Sequence, residues 1–465
     1  MRISLIFLLG LLSFNLVFAQ EYTTGLNFDD EEYAKIPRKA PLTRGLYVEA
    51  MPTAISLKKY CPTPMSQGSY GTCVGWSTNW AARTIVEAIR NNWNSRDQIS
   101  QNTFSPGYVY QQIKDRNDVN CSFGTSIHDA LNYMKFNGSV HYSDFDQSCA
   151  SEVPMHLKEK EKAFKIKDFA RIFSIDQSSN FKIQATKKGL SENYPIIIGM
   201  KCPPSFFKAK GAWQPEEDPK GSFGGHAMCV IGYDDSKYGG AFEIMNSWGT
   251  GWGNEGFIWV KYEDFANFTK YAYELIHDPG TYRPPTPVVV AKPDLSGELK
   301  LVTDRGKAMT ASLRGDEYKM NQAYQSGTSF RIFISNNEPA YVYAIGTDNT
   351  EEIFQLFPYA PDISASLNYS QNDVALPSED HYITMDNTTG TDYICVLYSK
   401  DELDIEAIKR KIAYTSGDFK GRVESVLGDM LVTDNNITFS GNEIGFKAFS
   451  KGRSIVALIV ATDHI

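Results

Sequence analysis

Between positions 73 and 92, apolar and small side chains recur at three- and four-residue steps. Trp76, Trp80, Thr84 and Ala88 fall on one side, with Ala81, Ile85 and Ile89 beside them. This spacing predicts a long amphipathic helix beginning at Cys73, with Thr72 at its N-cap position. The same period predicts helices at Pro106–Lys114 and Ser126–Phe136, the second ended by Gly138. The alternation of signs in Lys158–Lys162 reads as an exposed helix face. After about Ser174 the period shortens. Runs at Tyr194–Met200, Ala227–Tyr233, Ala241–Met245 and Gly256–Tyr262, bounded by Gly, Asp and Pro, read as strands of an antiparallel sheet or barrel. A helical half followed by a strand half is an α+β arrangement with a cleft between the two.

Five prolines fall in Asp278–Ser296 around Val288–Val290, the composition of a semi-rigid linker. Beyond it, strand runs at Phe330–Ser335, Ala340–Ile345, Glu352–Phe357, Thr391–Leu397 and Ser454–Val460 are interrupted by one helix near Asp404–Ala413. They predict a mostly β, sandwich-like domain. The aromatics Tyr341, Tyr343 and Phe354 alternate along these strands, as core positions do more often than ligand-binding ones. The division is a lead-in at 20–53, a first domain at 54–277, a linker at 278–296 and a second domain at 297–465.

Composition narrows the class. With 465 residues the chain is long enough for two cores. With 42% hydrophobic and 22% charged residues it is globular, and its formal charge of −9 gives no support to nucleic-acid binding. Residues 1–19 carry Arg2, an apolar run and a small-residue end at Ala19, the pattern of a signal peptide. No other run is long and apolar enough to span a membrane. The expectation is an exported protein, placed in the periplasm, at the cell surface or in the medium, where disulfides are permitted. Seven cysteines are an odd number, so at least one thiol is free.

Cys73 is the thiol with a chemical setting. At a helix N-terminus, unpaired N–H groups favour a thiolate. Gly68 and Gly71 let the preceding loop approach a substrate, and Gln67 is a neutral donor for a developing oxyanion beside the Cys73 N–H. The competing reading of this stretch alone is a small buried hydrophobe. A nucleophilic cysteine also needs a base. Gly224-Gly225-His226 opens one strand run and Asn246 closes the next, so a hairpin of the two makes His226 and Asn246 neighbours, a Cys–His–Asn set for acyl transfer. His128, His141 and His226 lack metal-ligand spacing, and no cofactor is expected.

These three blocks, Gln67 to Cys73, Gly225-His226-Ala227, and Asn246-Ser-Trp-Gly-Thr-Gly-Trp-Gly-x-x-Gly, resemble the signature blocks of the papain family of cysteine peptidases over roughly Leu57 to Ile276. The resemblance implies a two-lobed catalytic domain of one helical and one antiparallel β lobe. It implies Gln67 as oxyanion donor, Cys73 as nucleophile, His226 as general acid and base, and Asn246 as its orienting group. Gly124, Gly225 and Trp248 fall to substrate binding, Trp248 also covering the His226–Asn246 contact. A Cys121–Cys149 disulfide follows, with Cys61–Cys202 a weaker second pairing and Cys229 and Cys395 buried thiols. Departures are visible. Tyr70 and Val74 stand in Tyr70-Gly71-Thr72-Cys73-Val74 where the family's local pattern is C-G-[SA]-C-[WY], and Asn246 lies beyond the usual ~130 to 150 positions from the cysteine. The insertion Lys208–Ser222 accounts for that and is expected near the cleft. The lead-in is too short for the family's long inhibitory propeptide. The C-terminal part is similar, over Leu299–Ser399, to a β domain of unknown function found in bacterial envelope proteins, which implies binding of a protein or an envelope component. The reading is an exported peptidase acting on peptide or protein substrates. Its alternatives are a silent binding or adhesion protein with the same fold, and an acyl transferase using the same site.

Overall fold

The computed structural model describes residues 22–43, 51–277, 292–348, 352–368 and 373–465, so the expected signal segment and most of the proline-rich linker lie outside the described residues. The helix predicted at Cys73 is one continuous helical run built of Cys73–Gly75, a π-helical turn region Trp76–Arg83, and Thr84–Arg90. Every residue from Cys73 to Ala88 is buried. A helix enclosed on all sides is a central element and not a surface one. Its one strong charge in the middle, Arg83, is neutralised along the same helix by Glu87 at 2.8 Å.

Against this helix lies an eight-stranded sheet. Its strands are β1 (Ala54–Ser56), β2 (Asp168–Arg171), β3 (Ile196–Cys202), β4 (Ala212–Trp213), β5 (Gly224–Asp234), β6 (Ala241–Met245), β7 (Phe257–Lys261) and β8 (Thr269–Ile276). The order is β2-β8-β3-β5-β6-β7-β4, with β1 on β5. β3, β5 and β6 are buried along nearly their whole length, because helices and loops cover both faces. β2 lies on the helical side of the expected change of period at Ser174, so that boundary is too late. Its four residues hydrogen-bond to β8 and are all buried.

Three local expectations are corrected. Thr72 stands at the N-cap but makes no side-chain cap bond, and its hydroxyl is buried without a partner. The run Lys158–Lys162 is exposed at Glu159, Lys160 and Lys162, but Glu161 turns inward and accepts the Tyr108 hydroxyl at 2.8 Å. Cys61 and Cys202 are unbridged buried thiols, Cys61 pointing its sulfur at the Leu57 carbonyl instead.

Beyond the linker, two seven-stranded sheets form a sandwich whose first strand, Leu295–Thr303, already begins inside the expected linker. Along Ser329–Ser335 burial alternates strictly, with Phe330, Ile332 and Ile334 facing the core. Two helices, Ile405–Tyr414 and Phe419–Leu427, cover the outer face of the second sheet and bury Tyr341 and Tyr343 there. The second helix is absent from the sequence reading. Phe354 stays partly exposed.

The lead-in is not a separate unit. Tyr33, from its short helix Asp30–Lys35, is buried in the first domain and stacks on Tyr271 at 4.3 Å. Further on, Ala40 and Leu42 are part of the core of the sandwich.

Candidate active site

The site is assembled by the Cys73 helix and the β5–β6 hairpin. β5 and β6 pair antiparallel from Asp234 opposite Ala241 to Cys229 opposite Met245, with a bulge near Ile231. This register brings the beginning of β5 to the end of β6, and His226 Nε2 lies 2.7 Å from Asn246 Oδ1. Asn246 Oδ1 also accepts the Ser247 N–H at 2.8 Å, which fixes the amide with its oxygen toward the ring. With Nε2 so engaged, His226 Nδ1 is buried without a hydrogen-bond partner. Ala227, one residue on, donates its N–H to Cys73 Sγ at 3.5 Å. The imidazole is therefore held at its far nitrogen by an amide, on a strand whose next residue touches the thiol.

Trp248 lies parallel to the His226 ring at 4.6 Å, with Phe207 stacked on it at 5.0 Å. Phe207 immediately precedes the expected insertion Lys208–Ser222, whose Trp213 packs on Phe206, itself in contact with Trp248, so the insertion lies one layer behind the site. Gln67 is oriented from both ends. Its Oε1 accepts the Ser247 hydroxyl at 2.6 Å, and its Nε2 donates to the Tyr70 carbonyl at 2.7 Å.

The cleft is filled by the lead-in. Gly25 and Leu26 donate to Gly225 O at 3.3 and 3.0 Å, while Thr125 N–H donates to Gly25 O at 3.0 Å and Asn27 N–H to Thr125 O at 2.9 Å. Leu26 thus bridges the two walls, antiparallel to Gly225 and parallel to Thr125. The Trp248 indole N–H donates to Thr23 O at 2.8 Å, and Tyr22 stacks on the same indole at 5.0 Å. Thr23 donates its hydroxyl to the Gly68 and Tyr70 carbonyls. The approach is close enough to require glycine. A Cβ on Gly25 would lie 2.1 Å from Gly71 O, and one on Gly124, at φ +76°, would lie 2.4 Å from Gly25 O.

Burial sets the electrostatics. Cys73 and His226 are both fully enclosed. Burial pushes the Cys73 thiol up to about 12, against the pull of the Ala227 and Gly25 N–H groups that point at its sulfur. Burial pushes His226 down to about 4, opposed by its bond to Asn246. With the lead-in seated, the pair is a neutral thiol beside a neutral imidazole.

The structure brings Gln67, Cys73, His226, Asn246, Gly225 and Trp248 to one place, with Gly124 at the opposite wall. Cys121 and Cys149 form a disulfide. It braces that wall, since Cys121 O accepts the Gly71 N–H at 2.7 Å. The sequence reading missed Thr125, whose backbone takes both wall bonds, and Ser247, which orients Gln67. It also missed Tyr22, Thr23, Gly25 and Leu26. Ser247 stands inside a quoted motif and was open to notice; the lead-in residues carry no local signal. Of the departures, Tyr70 is exposed and Val74 is buried in the core, so neither displaces a group of the site.

A helix-borne thiol facing a β lobe that carries an amide-held histidine defines a thiol peptidase domain. Residues 58–274, a little under half of the chain, match the family model described as papain family cysteine protease. Residues 323–402 match a domain of unknown function (DUF4384), starting later than the expected Leu299. An uncharacterized peptidase C1-like protein of Acanthamoeba polyphaga mimivirus is 24% identical over 49% of this chain and 74% of its own length. Cathepsin K of Gallus gallus is 24% identical over 48% of this chain and 64% of its own length. Among solved structures, xylellain, a cysteine protease from Xylella fastidiosa, is similar with a TM-score of 0.44 and 20% identity, over 55% of this chain and 96% of that one.

Proposed function

We propose that this chain is an exported cysteine peptidase that hydrolyses peptide bonds through Cys73, His226 and Asn246, with Gln67 as an oxyanion donor, and that the occupied cleft is its resting form. The observation that carries the reading is the single-sided hold on His226. Its Nε2 is bonded to Asn246 and its Nδ1 is unpartnered on the strand that touches the thiol. Export is supported by the signal-like pattern of residues 1–19 and by the Cys121–Cys149 bridge, which fits an oxidising compartment.

In the reaction, the Cys73 proton passes to His226 Nδ1 and the thiolate attacks the carbonyl carbon of the scissile bond. The oxyanion is met by the Cys73 N–H and by Gln67 Nε2. His226 Nδ1–H then protonates the departing amine, leaving a thioester on Cys73. His226 next takes a proton from water, whose oxygen attacks the thioester and releases the acid and the free thiol. In the resting form none of this proceeds, because the lead-in occupies the cleft and the Gly25 N–H points at Sγ. The test uses a variant with the cleft opened, Leu26→Asp. It is expected to hydrolyse a mixed peptide library and to react with a thiol-directed epoxide, while Leu26→Asp with Cys73→Ala does neither. Equal reaction of both would overturn the assignment. An added amine nucleophile separates hydrolysis from acyl transfer by the product formed.

A further inference from the structure

The lead-in continues past the cleft and enters the C-terminal domain. At Arg38 it makes parallel bridges to Arg171 on one side and Ile363 on the other. Arg38 N–H donates to Asp362 O at 2.6 Å and Ser364 N–H to Arg38 O at 2.7 Å, while Lys39 N–H donates to Arg171 O at 2.9 Å. A single stretch of chain is thus the strand that joins β2 of the peptidase domain to the sandwich. At the same point Lys39 Nζ lies 2.6 Å from Glu274 Oε1, and Asn368 Nδ2 donates to that same oxygen at 2.5 Å. Lead-in, peptidase sheet and C-terminal domain each contribute one member to this buried cluster, all of them under 5% exposed. Arg171 adds Asp362 Oδ2 at 3.1 Å and Ile36 O at 2.6 Å.

We propose that the C-terminal domain is a clasp for the lead-in: its Asp362–Asn368 face is a docking surface whose occupant is residues 36–43 of the same chain, and holding them there keeps residues 22–28 in the cleft. The inference rests on the peptidase reading above. The two ends of the lead-in differ in kind. In the cleft the hold is chiefly main-chain hydrogen bonds and one buried leucine. At the clasp it is the Arg38 main-chain bonds to Asp362 and Ser364 plus Ala40 and Leu42 in the sandwich core, beside the Lys39–Glu274 pair of the lead-in and the peptidase sheet, whose carboxylate Asn368 also holds. Burying Ala40 and Leu42 in the sandwich core removes apolar surface that release would return to water, so the clasp is the end that resists release. Between them runs only Asp30–Lys35 and its flanks, pinned by Tyr33. An anchor this near keeps the effective concentration of the cleft segment high, so it reseats whenever it lifts. Residues 36–43 bind where a ligand of the C-terminal domain would otherwise have to be sought.

The test is made on the full chain. Asp362→Ala with Asn368→Ala removes clasp side chains that are remote from Cys73, and Leu26→Asp opens the cleft directly. The rate of epoxide labelling of Cys73 and hydrogen exchange of the Gly25–Asn27 amides are measured together. The clasp variant is expected to label at least about tenfold faster than wild type and to lose protection at Gly25–Asn27 while β5 and β8 stay protected. Wild-type labelling and protection in the clasp variant, with fast labelling of Leu26→Asp, would overturn the clasp and leave the peptidase reading intact. Failure of Leu26→Asp to label would instead strike the role of Cys73, and exchange at Gly25–Asn27 would still decide the clasp. If β8 also loses protection in the double variant, the half-exposed Asp362→Ala alone gives the decisive comparison.

Discussion

Gly25 meets three backbone surfaces of the cleft, and its missing side chain is what admits it. Gly25→Ala places a methyl group against Gly71 O. Because the neighbour is backbone, the lead-in must give way, and epoxide labelling of Cys73 is expected to accelerate without loss of global stability. An unchanged rate would mean that the lead-in is not the barrier. Two substitutions probe the chemistry in the opened Leu26→Asp form. Asn246→Ala frees His226 Nε2 and should lower kcat by ~10-fold or more with a small change in KM. Gln67→Ala should lower kcat by about 10². The pH dependence has a defined sign. His226 falls from 6.5 to about 4, so the unfolded or opened state takes up a proton first on acidification, and the closed form weakens from pH 6.5 down to about 4 at ~1.4 kcal/mol per unit. Cys73 rises from 9.0 to about 12, so the closed form weakens again as pH rises through that interval. Thermal unfolding against pH should therefore show a plateau between about 6.5 and 9, with a fall on either side. A closed form that gains stability on acidification from pH 6.5 to pH 4.5 would contradict it. The meeting of Cys73, His226 and Asn246 was legible in the sequence because cysteine-based acyl transfer admits few residue types. Thr125 was not, since it contributes only backbone, which any residue has.

At the scale of elements, the β5–β6 hairpin and the Cys73 helix followed from period and from bounding Gly and Asp residues. β2 did not. It is four residues long with a charge at each end, and those charges are satisfied from elsewhere, Asp168 by the Tyr341 hydroxyl at 3.0 Å and Lys135 at 2.8 Å, Arg171 by Asp362. Such a strand has no amphipathic pattern of its own because its partners lie more than a hundred positions away. Thr72 shows the converse. The residue type suits an N-cap, yet the first turn is left uncapped, with its N–H groups open toward the sulfur and the oxyanion position. The Cys121–Cys149 bridge closes a loop of 28 residues whose end carries Ser122 to Thr125. Replacing both cysteines by serine should cost about 2–4 kcal/mol in thermal unfolding, and, on the proposed function, should in the opened form raise KM more than it lowers kcat. An equal fall of kcat with unchanged KM would place the bridge in the chemistry instead.

At the scale of the molecule, two cores were readable from composition and period, but their joining was not. The segment from 22 to 43 is polar and aperiodic, and its course is dictated by edges it finds on other elements: Gly225 and Thr125 in the cleft, then Arg171 and Ile363 at the junction. The aromatics Tyr341 and Tyr343 carry the same lesson. Their alternation predicted burial, while the Tyr341 hydroxyl reaches across to Asp168 of the other domain. The segment that fills the cleft is part of the same covalent chain and is fixed again at Lys39, which makes occlusion a first-order, concentration-independent property. Dilution leaves the site covered. A single cut between Phe28 and Ile36 would turn the cleft portion into a separate short peptide held by a bimolecular equilibrium, and from that moment dilution alone would uncover Cys73, to an extent set by one dissociation constant and at a rate set by departure of the peptide.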